Sequence, residues 1–145
     1  MRVTFRKLIE ERIATWEAVR GKRSRVPGAA MALGRSDLPH DLIQLVVESA
    51  LGIEHGFWGC VADGATFKSL GRKRTRPGRA VIASHRDDLR DAEKLVGRHV
   101  KAWRAGTATP VAAALDEMDR RWRVVTDGGA LVVDWPSGTL VPTDR

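Results

Sequence analysis

Hydrophobic positions are densest in residues 36–67, SDLPHDLIQLVVESALGIEHGFWGCVADGATF. Ser36 or Asp37 offers a helix N-cap. Pro39 falls in the first turn, where its missing N–H costs nothing, and Asp41 suits the positive end of the helix dipole. Gly52 supplies the C′ residue that ends the helix. At about 100° per residue, Leu42, Ile43, Leu45, Val46, Val47 and Ala50 cover an arc of roughly 200°. That is much wider than the stripe of a surface helix, so this helix is expected to be largely buried at the centre of the fold. The remaining wedge carries His40, Asp41, Gln44 and Glu48, with His40, Gln44 and Glu48 aligned at i, i+4 and i+8.

Other segments take their places around it. Val3 and Phe5 alternate with polar neighbours, which predicts a strand over residues 2–7. Residues 13–19 predict a second strand paired to it, with a helical turn or two in 10–18 as the alternative. Residues 21–34, rich in glycine and containing Pro27, read as a loop with a short strand at 29–33. A short helix is expected over 59–63, ending at Gly64. The run SLGRKRTRPGR (69–79) reads as a basic loop, followed by a short strand at 81–83. Ser84 with Asp87 resembles a capping box for a helix reaching about Ala105 and stopped by Gly106. Its apolar stripe is Leu89, Ala92, Val96, His99 or Val100, and Trp103. Thr109-Pro110 then starts a helix with the stripe Val111, Leu115, Met118, Trp122 and Val125. The short link predicts an antiparallel αα-hairpin that brings Leu89 near Trp122 and Trp103 near Val111. Residues 130–135 and 139–141 predict a hairpin that extends the N-terminal sheet. The fold class is therefore α+β: a small antiparallel sheet from both chain ends, packed against a central buried helix and an αα-hairpin.

The run LPHDL…VVE, then ALG, then GFWG-x-VA-x-GA-x-F, resembles a family of small bacterial proteins with no assigned activity. The RWR and VVDWP runs around Trp122 and Trp135 fit the ending of that family. The resemblance spans about two thirds of the chain and implies a shape: an N-terminal strand before this segment, and a closing Trp-containing helix followed by a strand ending in Trp-Pro. Members often carry a second histidine where this chain has Gln44, so the resemblance brings no metal site with it.

Composition narrows the class. With 145 residues, 43% of them hydrophobic and 30% charged, the chain is expected to form one domain, residues 1–145, with a core of its own. The single cysteine, Cys60, excludes an internal disulfide framework and a Cys-based zinc motif, and its apolar neighbours predict an inert buried thiol. No secretory leader or membrane-spanning apolar run is visible, so a cytoplasmic protein without a membrane partner is expected.

Charge is segregated along the chain. The net charge of +7 hides segments of +6 (residues 1–35), −5 (residues 36–67) and +6 (residues 68–79), while the remainder is balanced. Basicity thus flanks an acidic centre, as an interaction surface would. Arginine outnumbers lysine nineteen to six, and some of that excess reflects GC-rich coding.

Two sets of residues carry candidate chemistry. Lys22, Arg23 and Arg25 in the first basic segment, with Arg72, Lys73, Arg74, Arg76 and Arg79 in the second, are placed to contact an acidic partner, either nucleic acid or protein. No aromatic residue interleaves the basic run, so base stacking is not indicated. There is no recognition helix, RNP pattern, GxxxxGK[ST] or GxGxxG, so neither sequence-specific readout nor a nucleotide cofactor is expected. The second set is His40 and Glu48, joined in one variant by Asp41 or His55, for metal-assisted or acid–base hydrolysis. Gln44 between them is a poor ligand, and no nucleophile motif such as G-x-S-x-G accompanies them. The competing reading of the His40–Gln44–Glu48 line is the wetted edge of a core helix. His99 reads as a satisfied core histidine and His85 as a surface residue. A binding module without a cofactor is the leading expectation, with hydrolysis through His40 and Glu48 the alternative and a purely structural role the third. The sequence sets no oligomeric state.

Overall fold

A computed structural model of the chain describes residues 1–22, 24–33, 38–71 and 73–143. The first two strands, β1 (Arg2–Leu8) and β2 (Ile13–Arg20), form as their alternation predicts. Val3, Phe5, Ala14, Trp16 and Ala18 point to one face and are buried, while Thr4, Arg6, Thr15 and Glu17 take the other face. Period two sets this division, and Phe5 stands opposite Trp16 in the register. The same period puts Lys7 on the inner face. There its ammonium donates to the carbonyl of Trp122 at 2.5 Å, and burial lowers its pKa.

β3 (Ser24–Pro27) and β4 (Met31–Ala32) follow, both antiparallel to β2. β4 falls within the strand expected over 29–33, whereas β3 lies in a stretch expected to be loop. Val26 is the buried residue that fixes β3 there. The C-terminal hairpin, β5 (Ala130–Asp134) and β6 (Thr139–Val141), adds to the free side of β1. Among the described residues the sheet has six strands in the order β3-β2-β1-β5-β6, with β4 also on β2. Among the described residues the helices pack on its inner face, and the fold is α+β as expected.

α1 (His40–Leu51) is the predicted central helix, closed by Gly52 in the left-handed conformation at φ 66°. Pro39 is its N-cap rather than part of the first turn, and its carbonyl accepts from the N–H groups of Leu42 and Ile43. Ser36 and Asp37, expected as caps, lie outside the described residues. Seven successive residues, from Leu42 to Glu48, are buried, so the helix is enclosed on nearly every side. α2 (Phe57–Ala62) begins two residues earlier than the sequence indicates. Trp58 from α2 fills the space between α1 and the sheet, against Phe5, Trp16 and Phe57.

The second basic run departs furthest from expectation. A 3-10 turn occupies Lys68–Leu70, and α3 (Arg76–Ser84) takes in both the end of the predicted loop and the predicted strand at 81–83. The Thr75 hydroxyl caps α3 by accepting from the Gly78 N–H at 3.1 Å, and Pro77 sits in the first turn, where it is tolerated. Ser84 ends α3 instead of capping the next helix, and its hydroxyl donates to the Ala80 carbonyl. His85 stands at the junction, directly before α4 (Arg86–Arg104).

α5 (Ala112–Arg123) starts beyond Thr109-Pro110, with Val111 as N-cap. The Thr109 hydroxyl is already engaged with Nδ1 of His99 at 2.5 Å, which accounts for that half-buried histidine. α4 and α5 are bridged near their connection by Trp103 Nε1, which donates to Asp116 at 2.8 Å. Beyond it each packs more on α1 than on the other. Trp122 meets Lys7 of the sheet, and Leu89 stays half-exposed outside the core.

Candidate functional site

The two basic segments are about fifty residues apart in sequence and converge in space. The first lies at the β2–β3 turn on the edge of the sheet, and the second runs from the 3-10 turn into α3. Between them is a concavity of about 430 Å³ lined by Arg20, Ser24, Arg25, Thr66, Lys73 and Thr75, with Val26, Phe67 and Leu70 at its apolar base. No acidic side chain lines it among the described residues. The link between α2 and α3 is pinned across its floor: Thr66 Oγ1 accepts from the Thr75 N–H at 3.1 Å, and the Thr66 N–H donates to the Gly78 carbonyl.

Arg20 is held at the rim. One terminal nitrogen donates to the Val61 carbonyl at 3.2 Å and the other to the Ser24 hydroxyl at 3.1 Å, while its Nε is buried with no hydrogen-bond partner among the described residues. Arg25 donates to Glu17 at 3.3 Å, an exposed pair that water and salt screen strongly. Lys22, Lys73, Arg74, Arg76 and Arg79 are exposed. Arg76 and Arg79 thus stand on α3 rather than in a loop, which gives them a fixed spacing of i, i+3. Arg23 and Arg72 lie outside the described residues. Arg20 was the missed member: it ends a strand outside either basic run, and only the pairing of β2 with β3 puts it beside Ser24.

His40 and Glu48 are not brought together. His40 begins α1 in solvent, 78% exposed, with Nδ1 at 3.3 Å from Asp41, and that partner raises its pKa. Glu48 lies two turns further on and is 0% exposed. Its Oε1 accepts from the Trp58 N–H at 3.1 Å, at the start of α2. Oε2 is buried with no hydrogen-bond partner among the described residues. Burial raises its pKa to about 7, against the opposing pull of the Trp58 N–H, the Gln44 amide and the Phe57 N–H. Gly56 leaves room for the carboxyl here, since a Cβ would collide with Glu48 Oε1. The polar line is therefore neither a convergent site nor a wetted edge. It begins in water and ends sealed in the core.

Asp41 is also committed, accepting from Trp16 Nε1 at 2.8 Å through its carboxylate and from Trp58 Nε1 at 3.0 Å through its carbonyl. Between α1 and the C-terminal half of α4 runs a wider groove of about 770 Å³, floored by Ile43, Val96 and Val100. His40, Gln44, Glu93, Lys101 and Arg104 stand around it. Cys60 is buried as expected, and desolvation above all pushes its thiol up to about 11, so it is not nucleophilic near neutral pH. No helix among the described residues is long and apolar enough to cross a membrane.

Comparison of the chain with family models, with curated proteins and with solved structures yields no match.

Proposed function

We propose that this protein is a non-catalytic binding module that engages the phosphate backbone of a nucleic acid through its basic concavity. The observation that carries the reading is the convergence of two remote basic segments on one hollow lined by Arg20, Arg25 and Lys73, with hydroxyls between them and no acid among the described lining residues. Cationic and hydroxyl donors are the groups that contact phosphate oxygens. Phe67, the aromatic residue at the hollow, is packed against Phe57 at 4.9 Å between ring centroids and presents no free stacking platform. Recognition is accordingly of backbone charge rather than base identity.

Titration of labelled random single-stranded and duplex oligonucleotides, read by anisotropy, is the test. Dissociation constants of roughly 10⁻⁶ to 10⁻⁴ M at physiological salt are expected. Replacing Lys73, Arg74, Arg76 and Arg79 together with alanine should weaken binding by about tenfold or more, since each phosphate contact adds to a cumulative electrostatic term. All four residues are exposed, so the fold should survive. Replacing Lys101 and Arg104, which line the other groove, should change little. Binding of an acidic polypeptide with no binding of nucleic acid would overturn the reading in favour of a protein partner.

A further inference from the structure

A second cluster stands apart from the basic hollow. His55 precedes α2, Asp63 is the C-cap of α2, and His85 occupies the junction of α3 and α4. Thirty residues separate the first from the last, yet one potential ligand atom from each lies within 4.8 Å of the others. The two imidazoles are stacked at 4.0 Å between centroids and 11° between planes. Among the described residues, Nδ1 of His55 is buried without a hydrogen-bond partner and lies 3.8 Å from an Asp63 carboxylate oxygen, too far for a hydrogen bond. A buried ring nitrogen with no donor or acceptor needs an explanation, and a cation shared with that carboxylate supplies one.

The geometry points to a site for a divalent first-row transition metal, of the zinc type, held by His55, Asp63 and His85. A neighbouring carboxylate sets the His85 tautomer that such a site needs. Asp88 lies 3.4 Å from Nδ1 of His85 and favours the proton there, leaving Nε2 of that ring to coordinate. Two imidazoles and one carboxylate form a borderline nitrogen–oxygen set that suits zinc and its neighbours, not calcium or magnesium. Cys60 takes no part, since its thiol donates to the His55 carbonyl. Tetrahedral ligation places donor atoms roughly 3.4 Å apart, so filling the site draws the three groups, now within 4.8 Å of one another, together by up to about 1.4 Å and tilts the rings out of their stack. With three protein ligands and a partly exposed position, the ion keeps a place for water. It also ties the segment before α2 to the α3–α4 junction.

The test is calorimetric titration of chelator-treated protein with zinc at neutral pH, with cobalt as an absorbance probe of the ligand set. One equivalent should bind with micromolar or tighter affinity, cobalt should give the visible bands of a nitrogen–oxygen site, and zinc should raise the melting temperature. Asp63→Asn, nearly isosteric, and His85→Ala should each weaken zinc binding by roughly tenfold or more, while Asp88→Asn should weaken it by a smaller factor. His40→Ala should bind as the parent does. Melting of each variant without metal separates lost ligation from lost folding. Absence of saturable binding, or zinc affinity unchanged in folded Asp63→Asn and His85→Ala, overturns the assignment.

Discussion

Replacing Trp58 with alanine is expected to lower the folding stability by about 3–5 kcal/mol, the range for truncating a fully buried aromatic side chain. Trp58 is 0% exposed and touches both the sheet and α1. Its ring centroid is 4.7 Å from that of Trp16 and 5.8 Å from that of Phe5 on the sheet, and 5.1 Å from that of Phe57 on its own helix. Its Nε1 donates to the Asp41 carbonyl of α1 at 3.0 Å. Truncation removes the packing and leaves a cavity walled by rigid aromatic rings that collapse poorly. Trp58→Phe should cost less, because most of the volume remains and the loss is concentrated in the hydrogen bond. Urea denaturation followed by circular dichroism measures both. A loss below about 1 kcal/mol for the alanine variant would mean that the site relaxes freely, contrary to this packing.

The second large effect concerns Glu48 and pH. Its folded-state pKa of about 7 lies above the ordinary value of 4.5 because the carboxyl is buried. Between these two values the folded state keeps a proton that the unfolded chain has lost. Stability therefore falls as pH rises from about 4.5 to about 7 and levels off above, the reverse of a salt-bridged carboxylate. At about 1.4 kcal/mol per pH unit of separation, the contribution is on the order of 3 kcal/mol. Glu48→Gln keeps an acceptor for the Trp58 N–H and removes the ionisation, so it should flatten this part of the profile and be the more stable form at pH 8. Chemical denaturation of both proteins from pH 4.5 to 8 checks the sign. Parallel profiles would show that Glu48 does not titrate in this window.

What the sequence revealed follows from where a pattern is long enough to have a period. Val3 and Phe5 alternate within a seven-residue strand, and α1 is wound from twelve residues with a glycine stop, so both were legible. Val81-Ile82-Ala83 is three apolar residues without a period. Its helix is set by Thr75 and Pro77, start signals hidden inside a run of arginines. Lys7 obeyed its strand period and so entered the core, where charge alone would have placed it in water. The His40–Gln44–Glu48 line was sound as helical geometry, but burial along it is decided by α2 docking over its far end.

The candidate sites divide in the same way. The charge of both basic segments was plain in the sequence, whereas their meeting depends on the β2–β3 turn lying beside the α2–α3 link. Arg20 belongs to the hollow through tertiary position alone. His55, Asp63 and His85 have intervals of eight and twenty-two residues that match no ligand motif. One signal was available: His55 adjoins Gly56 ahead of a helix, a place where a side chain can turn back against that helix.

The central claim, that the basic hollow engages phosphate charge, is tested most directly by the salt dependence of oligonucleotide binding. The logarithm of the association constant should fall linearly with the logarithm of salt concentration, with a slope on duplex DNA of about −3 or steeper, given about −0.9 per phosphate neutralised. The variant lacking Lys73, Arg74, Arg76 and Arg79 should show a shallower slope. Affinity that does not change with salt, or no binding at the lowest salt, would contradict the account and return these arginines and lysines to the role of solvated surface.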